Sequence, residues 1–275
     1  MKEILCAPFV KEMCEVTANM YRLGWDERNG GNISYLLDEK EVAEYLDINN
    51  VIREIPFMGI EKADFDATFL AGKIFIVTGT GKYFKNVVKD PETNLGIVKI
   101  ADNGTIAQLL WGFKDGGRFT SEFFAHMMSH IERLKVDPGN SVVMHCHPTN
   151  LVAMTFICDL DETSFTKDLW RTCTECMVVF PDGIGVLPWM LCGTKEIGEK
   201  TAEKMKDFRL VVWAHHGIYA VGKTLDEAFG LIETVEKGAE IFLKIRPYEI
   251  RQTITDEDLK EIAKGFGVSY KPGWL

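Results

Sequence analysis

The sequence predicts a three-layer α/β/α fold built on a largely antiparallel central sheet. Runs rich in β-branched residues at 73–77, 141–147 and 210–217 indicate buried strands, and helical segments lie between them. The tripeptide DNG at 102–104 separates two further apolar runs as a hairpin turn would, so antiparallel pairing enters the sheet. Because neither an internal repeat nor a low-complexity linker interrupts residues 1–275, we predict a single domain.

The first part of the chain begins with an amphipathic helix. Apolar residues recur at helical spacing from Pro8 to Leu23, and Gly24 is a typical stop. A turn-rich stretch around Gly30 then leads into a β-prone run at 33–37. The charged, weakly periodic segment 38–70 indicates an insertion whose structure the pattern leaves open.

The middle of the chain combines a glycine loop, a hairpin and a helix. The loop TGTGK at 78–82 follows the strand at 73–77. Residues 97–100 and 105–110 form the arms of the predicted hairpin. Thr120, Ser121 and Glu122 open a helix that runs to residue 134, with hydroxyl groups at the N-cap and an acid in the first turn.

The C-terminal half alternates strands and helices. A helical stretch begins at Pro148, directly after the strand at 141–147. Residues 177–180 predict a strand with a turn at 181–183, residues 195–207 predict a helix, and Leu225–Ile245 predicts a final long helix. The strands at 141–147 and 210–217 both end in histidine, so ligand-type side chains follow two strands.

Composition excludes several classes of function. The formal net charge is −10 and none of the 31 Lys and Arg residues form a run, which argues against nucleic-acid binding but permits a small anionic ligand. No apolar run reaches the length of a membrane span, and the N-terminal sequence lacks the basic region of a signal peptide, so we expect a cytoplasmic protein without a membrane partner. Seven cysteines, an odd number, favour reduced thiols, including the CxxC pair Cys173 and Cys176.

Histidines provide the candidate metal site. His145 and His147 are two apart on a predicted strand, so both rings project from one face. For the third ligand we choose His216 over His215, because a residue at the start of the loop is better placed to reach a cleft. Three imidazoles with a fourth position open are typical of catalytic zinc, whereas structural zinc sites are closed, usually by thiolates.

The helix after residue 121 supplies a base and a competing histidine pair. Glu122 can act as the base and can ligate the metal before substrate binds. His126 and His130 have i, i+4 spacing but lack the glutamate of the HExxH motif, so we interpret them as structural, with His126 a candidate neighbour of the site. An HxH pattern also occurs by chance, and a strand histidine is often a hydrogen-bonded core residue, which leaves a structural role open for His145 and His147.

Five ordered motifs resemble those of a known family. NGGNIS from residue 29, VTGTGK from residue 77, TSE at 120–122, HCH at 145–147 and HG at 216–217 occur in the order seen in class II aldolases of the fuculose and rhamnulose phosphate type. GWDERNGGN, NLGIVK, MHCHPTNL, FPDGIGVLPWM and TLDEAFGLI are similar to the rhamnulose phosphate members, and the similarity spans nearly the whole chain. Thr80 stands where serine is usual, which keeps the hydroxyl group, while segment 38–70 and the last residues diverge.

The resemblance implies a class II aldolase-like fold and cleavage of a phosphorylated ketose, L-rhamnulose 1-phosphate, to dihydroxyacetone phosphate and L-lactaldehyde. It implies one Zn²⁺ per subunit held by His145, His147 and His216. Glu122 would move the proton at C3, and Glu175 would reach the aldehyde oxygen from a neighbouring subunit of a cyclic homotetramer with shared active sites. The implied phosphate ligands are Asn29, Asn32, Gly79, Thr80, Thr120 and Ser121.

Several alternatives remain open at this point. Within the aldolase-like enzymes they are cleavage of L-fuculose 1-phosphate and epimerisation of a pentulose phosphate. From other classes they are a hydrolase or lyase that uses the same zinc to activate water, and a non-catalytic binding module similar to the adducin head. The presence of Glu122 with all three histidines counts against the binding module.

Overall fold

The computed structural model describes residues 1–57 and 65–275. In these residues nine strands form one sheet, and they are β1 (Asn32–Leu37), β2 (Arg53–Pro56), β3 (Ile74–Thr78), β4 (Leu95–Ile100), β5 (Ile106–Gly112), β6 (Val142–Cys146), β7 (Gly185–Leu187), β8 (Leu210–Trp213) and β9 (Gly217–Gly222). Their order across the sheet is β2-β5-β4-β3-β1-β6-β9-β8-β7. Every neighbouring pair is antiparallel except β7 with β8. The predicted largely antiparallel sheet is therefore confirmed.

Helices cover this sheet. The α-helices of the described residues are α1 (Pro8–Leu23), α2 (Glu39–Ala43), α3 (Phe84–Val87), α4 (Pro91–Asn94), α5 (Phe123–Val136), α6 (Thr149–Met154), α7 (Glu162–Trp170), α8 (Thr174–Val179), α9 (Lys195–Lys204), α10 (Leu225–Ile245) and α11 (Asp256–Phe266). Short 3-10 turns lie at Ile4–Cys6 and Thr68–Leu70.

Strand side chains alternate between two helical layers. In β3, Ile74 and Ile76 join the hydrophobic core that contains α1 and α10, whereas Phe75 and Val77 pack on the opposite side with α5. Helix α9 packs on α5 and completes that second layer. Since successive strand residues point to opposite faces, both faces of the sheet are buried under helices. This confirms the predicted α/β/α layering.

Most of the predicted elements occur where the pattern indicates them. Helix α1 has the predicted bounds and ends at Gly24, whose φ of 77° is in the left-handed region that favours glycine. The hairpin forms from β4 and β5, and α10 has the predicted bounds. Residues 58–64 of the predicted insertion lie outside the described part, while the described residues of segment 38–70 form α2 and the edge strand β2.

The strand predicted at residues 177–180 is wrong, because this stretch contains the end of helix α8. Cys176 and Met177 are fully buried there, and α8 packs against α10 and α11. A short apolar run of this kind cannot be assigned to a strand or a helix by periodicity alone. The sequence pattern also does not predict β7, β9 or α11.

Within the described residues, each helix is too short or too polar to cross a membrane.

Candidate active site

Three histidines from neighbouring parts of the sheet converge at one end of it. His145 lies in β6, His147 lies just beyond that strand, and His216 lies in the turn between β8 and β9. Because β6 pairs with β9, the end of β6 adjoins this turn. One ligand nitrogen from each of the three rings lies within 4.8 Å of the other two. The structure thus brings the three predicted metal ligands together.

Hydrogen bonds determine which nitrogen two of these rings present to the cluster. His145 Nδ1 donates to the carbonyl oxygen of Ile218 at 2.9 Å, and His147 Nδ1 lies 2.8 Å from Glu27 Oε1. The two Nε2 atoms therefore face each other, 3.3 Å apart. Carbonyl and carboxylate partners of this kind are typical of metal-binding histidines because they fix the tautomer and the ring orientation.

Burial favours the neutral form of two of the three rings, His145 and His216. Desolvation lowers the pKa of His145 well below its usual value, and the neighbouring His147 lowers it further. Burial also lowers the pKa of His216 to about 4, again with a contribution from His147. Three imidazole nitrogens that converge in this way suit a divalent cation such as Zn²⁺, which would hold them together. The residues present therefore fit the predicted metal.

Glu122 lies beside the histidines, immediately before α5. Its Oε2 is 3.9 Å from His145 Nε2 and accepts hydrogen bonds from Asn32 Nδ2 at 3.0 Å and from the Tyr219 hydroxyl at 2.9 Å. Burial raises the pKa of the Glu122 carboxyl group, and the two hydrogen bonds oppose that rise. A desolvated carboxylate at this position can act as a base next to a metal ion.

Two glycines allow the backbone to approach the cluster closely. A Cβ atom at Gly30 would lie 2.8 Å from the ring of His147, and one at Gly217 would lie 2.3 Å from the carbonyl oxygen of Cys146. Both distances are shorter than real side-chain contacts allow. A side chain at Gly30 would therefore displace the His147 ring, and one at Gly217 would displace the backbone at Cys146, between the two histidines.

Comparison with known proteins agrees with this geometry. Residues 11–243 match the family of class II aldolase and adducin N-terminal domains. The chain belongs to this family. It is 58% identical over its full length to rhamnulose-1-phosphate aldolase of Listeria monocytogenes, of which it covers 98%. It is 56% identical over 99% of its length to rhamnulose-1-phosphate aldolase of Enterococcus faecalis, of which it covers 96%.

Solved structures show the same class II aldolase architecture. The sugar-phosphate aldolase of Thermotoga maritima matches with a TM-score of 0.74 and 28% identity, covering 88% of this chain and 97% of that one. The L-fuculose-1-phosphate aldolase of Thermus thermophilus matches with a TM-score of 0.58 and 18% identity, covering 86% and 94%. The second likeness supports the fold alone.

In this class II aldolase chain, two backbone segments carry most of the predicted phosphate ligands. The Thr80 N–H donates to the carbonyl oxygen of Arg118, and the Thr120 N–H donates to that of Thr78, each at 2.9 Å. The loop 78–82 therefore lies directly against the residues before α5, with the Thr80 and Ser121 side chains exposed. The predicted ligands brought side by side in this way are Gly79, Thr80, Thr120 and Ser121.

The two predicted asparagine ligands differ in their surroundings. Asn29 is exposed in the turn before β1. Asn32 is buried, and its side-chain amide contacts Glu122 and His126. Of these two asparagines, only Asn29 is exposed where it could contact a bound phosphate group.

Sequence reasoning did not identify Tyr219 and Glu27, which contact the clustered histidines, or Asp26, which precedes Glu27. The ring of Tyr219 stacks on His145 with centroids 4.6 Å apart, and Glu27 contacts His147. Asp26 accepts the N–H of Gly31 at 3.0 Å, and burial raises its pKa to about 6. Tyr219 had no signal because β9 was not predicted, whereas Asp26 and Glu27 lie within the GWDERNGGN stretch that resembles the aldolases.

The other histidines lie outside the cluster. His215 has a φ of 61°, its Nδ1 is 3.2 Å from Thr155 Oγ1, and its ring packs on Phe156 at a centroid distance of 4.1 Å. His126 and His130 are fully buried in α5 and both contact Ser34 rather than the candidate metal site.

Glu175 is not brought to the histidines of its own chain. It is exposed in the first turn of α8 and lines a surface cavity of about 730 Å³ together with Trp25, Asn150 and Glu236. Within the described residues, Glu175 forms no hydrogen bond or ion pair with Glu122 or with the three clustered histidines.

Proposed function

We propose that this protein cleaves L-rhamnulose 1-phosphate to dihydroxyacetone phosphate and L-lactaldehyde by a zinc-dependent retro-aldol reaction. The observation that carries this proposal is the three-histidine cluster with the buried Glu122 carboxylate 3.9 Å from one of its nitrogens. This arrangement occurs in a chain that is 58% identical over its full length to a rhamnulose-1-phosphate aldolase. We further propose a cytoplasmic role in rhamnose catabolism.

The three histidines, by holding a metal ion, and Glu122, by donating a proton, can stabilise the negative charge that develops when the substrate is cleaved. Breaking the C3–C4 bond leaves an electron pair on the dihydroxyacetone phosphate fragment. A zinc ion on His145, His147 and His216, one per subunit, would supply a Lewis acid for that negative charge. Glu122 then delivers a proton to C3 in the cleavage direction and removes the same proton in the aldol direction, as microscopic reversibility requires.

The phosphate group would be held away from the bond that breaks. The exposed hydroxyls of Thr80 and Ser121 can bind it together with Asn29, at the loop that also contains Gly79 and Thr120. Binding of this remote group would place C3 over the metal ion and beside Glu122. Asn32 is included among the implied ligands by resemblance, but its buried position favours another role, described below.

We also propose that the enzyme is a homotetramer in which Glu175 of one subunit enters the active site of the next. In this arrangement Glu175 exchanges the proton of the C4 hydroxyl, which becomes the aldehyde oxygen. Glu122 cannot perform that step while it acts at C3, so two proton-transfer groups are required.

A coupled assay for dihydroxyacetone phosphate tests the proposed function. We expect production of dihydroxyacetone phosphate from L-rhamnulose 1-phosphate at a higher kcat/KM than from L-fuculose 1-phosphate or a pentulose phosphate. A chelator should abolish the activity and zinc should restore it, because the open metal position leaves the ion exchangeable. Release of inorganic phosphate without dihydroxyacetone phosphate would instead indicate a hydrolase, and binding without turnover would indicate a binding module.

A further inference from the structure

A line of buried polar side chains connects Glu122 to the interior of the α5 layer. From Glu122 Oε2 it passes through the side-chain amide of Asn32 to His126 Nε2. His126 Nδ1 lies 2.8 Å from Ser34 Oγ, which in turn lies 2.8 Å from His130 Nε2. Asn32 is 6% exposed, and the three residues beyond it are at most 1% exposed. Bulk water therefore cannot replace a partner that is removed.

The donors and acceptors along this line follow one direction. An ionised Glu122 can only accept, so Asn32 must turn Nδ2 towards it and Oδ1 towards His126. Since Oδ1 also only accepts, His126 must carry its proton on Nε2 and accept the Ser34 hydroxyl proton at Nδ1. The Ser34 oxygen is then free to accept from His130 Nε2. Each assignment follows from the one before it.

We propose that Asn32 and His126 are positioning residues for the Glu122 carboxylate and that Ser34 fixes the tautomer of His126. The inference rests on the proposed function, in which Glu122 moves the C3 proton. An unrestrained asparagine amide can rotate by half a turn and place its oxygen against the carboxylate, which would repel it. The His126 Nε2–H group, held on Oδ1, prevents this rotation.

The orientation of the carboxylate follows from the same contacts. In the described part of the chain, the hydrogen bonds to the Glu122 carboxylate come from Asn32 and Tyr219, and both reach Oε2. Oε1 is thereby left to meet the proton at C3. Holding a base in one rotamer preserves the short contact that proton transfer needs.

This assignment differs from a phosphate-binding role for Asn32 in its kinetic consequence. The amide oxygen of Asn32 and one of its two N–H groups are engaged by His126 and Glu122, and the side chain is buried. Loss of a phosphate ligand weakens substrate binding and raises KM. Loss of a positioning residue lowers kcat with little change in KM.

The substitution Asn32→Ala in the full-length, zinc-loaded protein separates the two roles. The measurements are cleavage of L-rhamnulose 1-phosphate and exchange of the dihydroxyacetone phosphate proton with deuterated solvent, both expressed per bound zinc ion. We expect both rates to fall about 10- to 100-fold, the range for loss of a group that orients a functional side chain. KM should change less than about twofold. A raised KM with an unchanged kcat would overturn the positioning role.

A pair of substitutions at His126 tests the hydrogen bond itself. Glutamine can place an amide N–H near the position of Nε2, whereas leucine fills a similar volume and cannot donate. We expect His126→Leu to slow proton exchange as Asn32→Ala does, and His126→Gln to recover most of the rate. His130→Leu is the matched control, because His130 lies one turn further along α5 and contacts only Ser34 in this line. Its effect on exchange should be smaller than that of His126→Leu.

Three outcomes would contradict the inference. They are equal losses in His126→Leu and His126→Gln, normal exchange in His126→Leu, and a loss in His130→Leu as large as that in His126→Leu. If His126→Leu does not fold, the kinetics of Asn32→Ala alone decide whether Asn32 has a positioning role. A wild-type protein that neither cleaves the ketose nor exchanges the proton would overturn the proposed function, which distinguishes that failure from a failure of the positioning role.

Discussion

His215 and His216 are adjacent in sequence, but their rings have different partners. His216 joins the cluster with His145 and His147, whereas His215 contacts Thr155 and Phe156. We predict that His216→Ala loses bound metal and lowers kcat by more than the roughly 100-fold that loss of a metal ligand's hydrogen-bond partner can cost. His215→Ala is the control and should retain metal, as measured by atomic emission. The opposite result would reverse our choice of ligand.

Glu122→Gln should separate binding from proton transfer. The glutamine side-chain oxygen can still accept from both Asn32 and Tyr219, so the variant should fold and bind the ketose phosphate. It cannot act as a base, and we expect proton exchange in dihydroxyacetone phosphate to fall by about 10²- to 10⁴-fold. Solvent deuterium incorporation, followed by NMR, measures this rate. Near-normal exchange would remove Glu122 from its proposed role.

At the residue scale, the sequence predicted metal ligands that are close together along the chain. It did not predict which distant residues form hydrogen bonds with Glu122. The two-residue spacing of His145 and His147 placed both on one strand face without any knowledge of the fold. By contrast, the hydrogen bonds from Asn32 and Tyr219 to Glu122 span 90 and 97 residues. Contacts of that range depend on the order of strands in the sheet, which local pattern does not specify.

Among the elements, α6 depends on a carboxylate from another helix. Glu236 of α10 accepts the backbone N–H groups of Asn150 and Leu151 at 3.0 and 2.9 Å and the Asn150 side-chain amide at 2.8 Å. The first N–H groups of a helix have no partner within it, so Glu236 satisfies donors that would otherwise be unpaired. This contact stabilises the helix that directly follows His147 and Pro148.

We therefore predict that Glu236→Ala destabilises the fold by about 1–3 kcal/mol, the cost of leaving buried donors unpaired. The change should lower Tm by about 2 °C or more per kcal/mol, as measured by calorimetry. Glu233→Ala is a matched control on the same face of α10, because Glu233 is exposed. That control should change the free energy of unfolding by less than about 0.5 kcal/mol. Equal losses in the two variants would contradict the capping role.

The elements that the sequence failed to predict were missed for different reasons. β7 is only three residues long, and α8 is a short helix with an apolar run on its buried side. Neither segment is long enough for the spacing of its apolar residues to distinguish a strand from a helix. β9 follows β8 after a turn in which His215, not glycine, has a positive φ, so the usual hairpin signal is missing. For α11 a signal was present, since Thr255 and Asp258 form a capping box.

On the scale of the whole molecule, the site lies where the sheet meets the α5 layer. β1, β6 and β9 are neighbours in the sheet and supply Asn32, His145 and Tyr219, while the start of α5 supplies Glu122. The surface also carries exposed apolar side chains at Phe156, Trp189 and Leu191, with 67%, 64% and 64% of their areas accessible. These side chains are candidate contacts between subunits in the proposed homotetramer.

Glu175 connects this proposed assembly to catalysis. Its position on the surface of α8, beside the cavity with Trp25 and Asn150, gives it no contact with Glu122 of the same chain. In the proposed tetramer each active site then combines the histidines and Glu122 of one subunit with Glu175 of its neighbour. A subunit with a substitution at only one of these two glutamates therefore still contributes the other glutamate to an active site.

Mixing two inactive variants tests this sharing of active sites. We predict that Glu122→Gln and Glu175→Ala chains are each inactive alone but recover part of the wild-type activity when mixed under conditions that allow subunit exchange. Recovery is expected because some mixed interfaces pair an intact Glu122 with an intact Glu175, while others carry both substitutions. Native mass spectrometry of differently tagged chains confirms that mixed oligomers have formed, and unmixed variants treated in the same way are the control. Mixed oligomers without recovered activity would show that Glu175 does not complete the site of a neighbouring subunit.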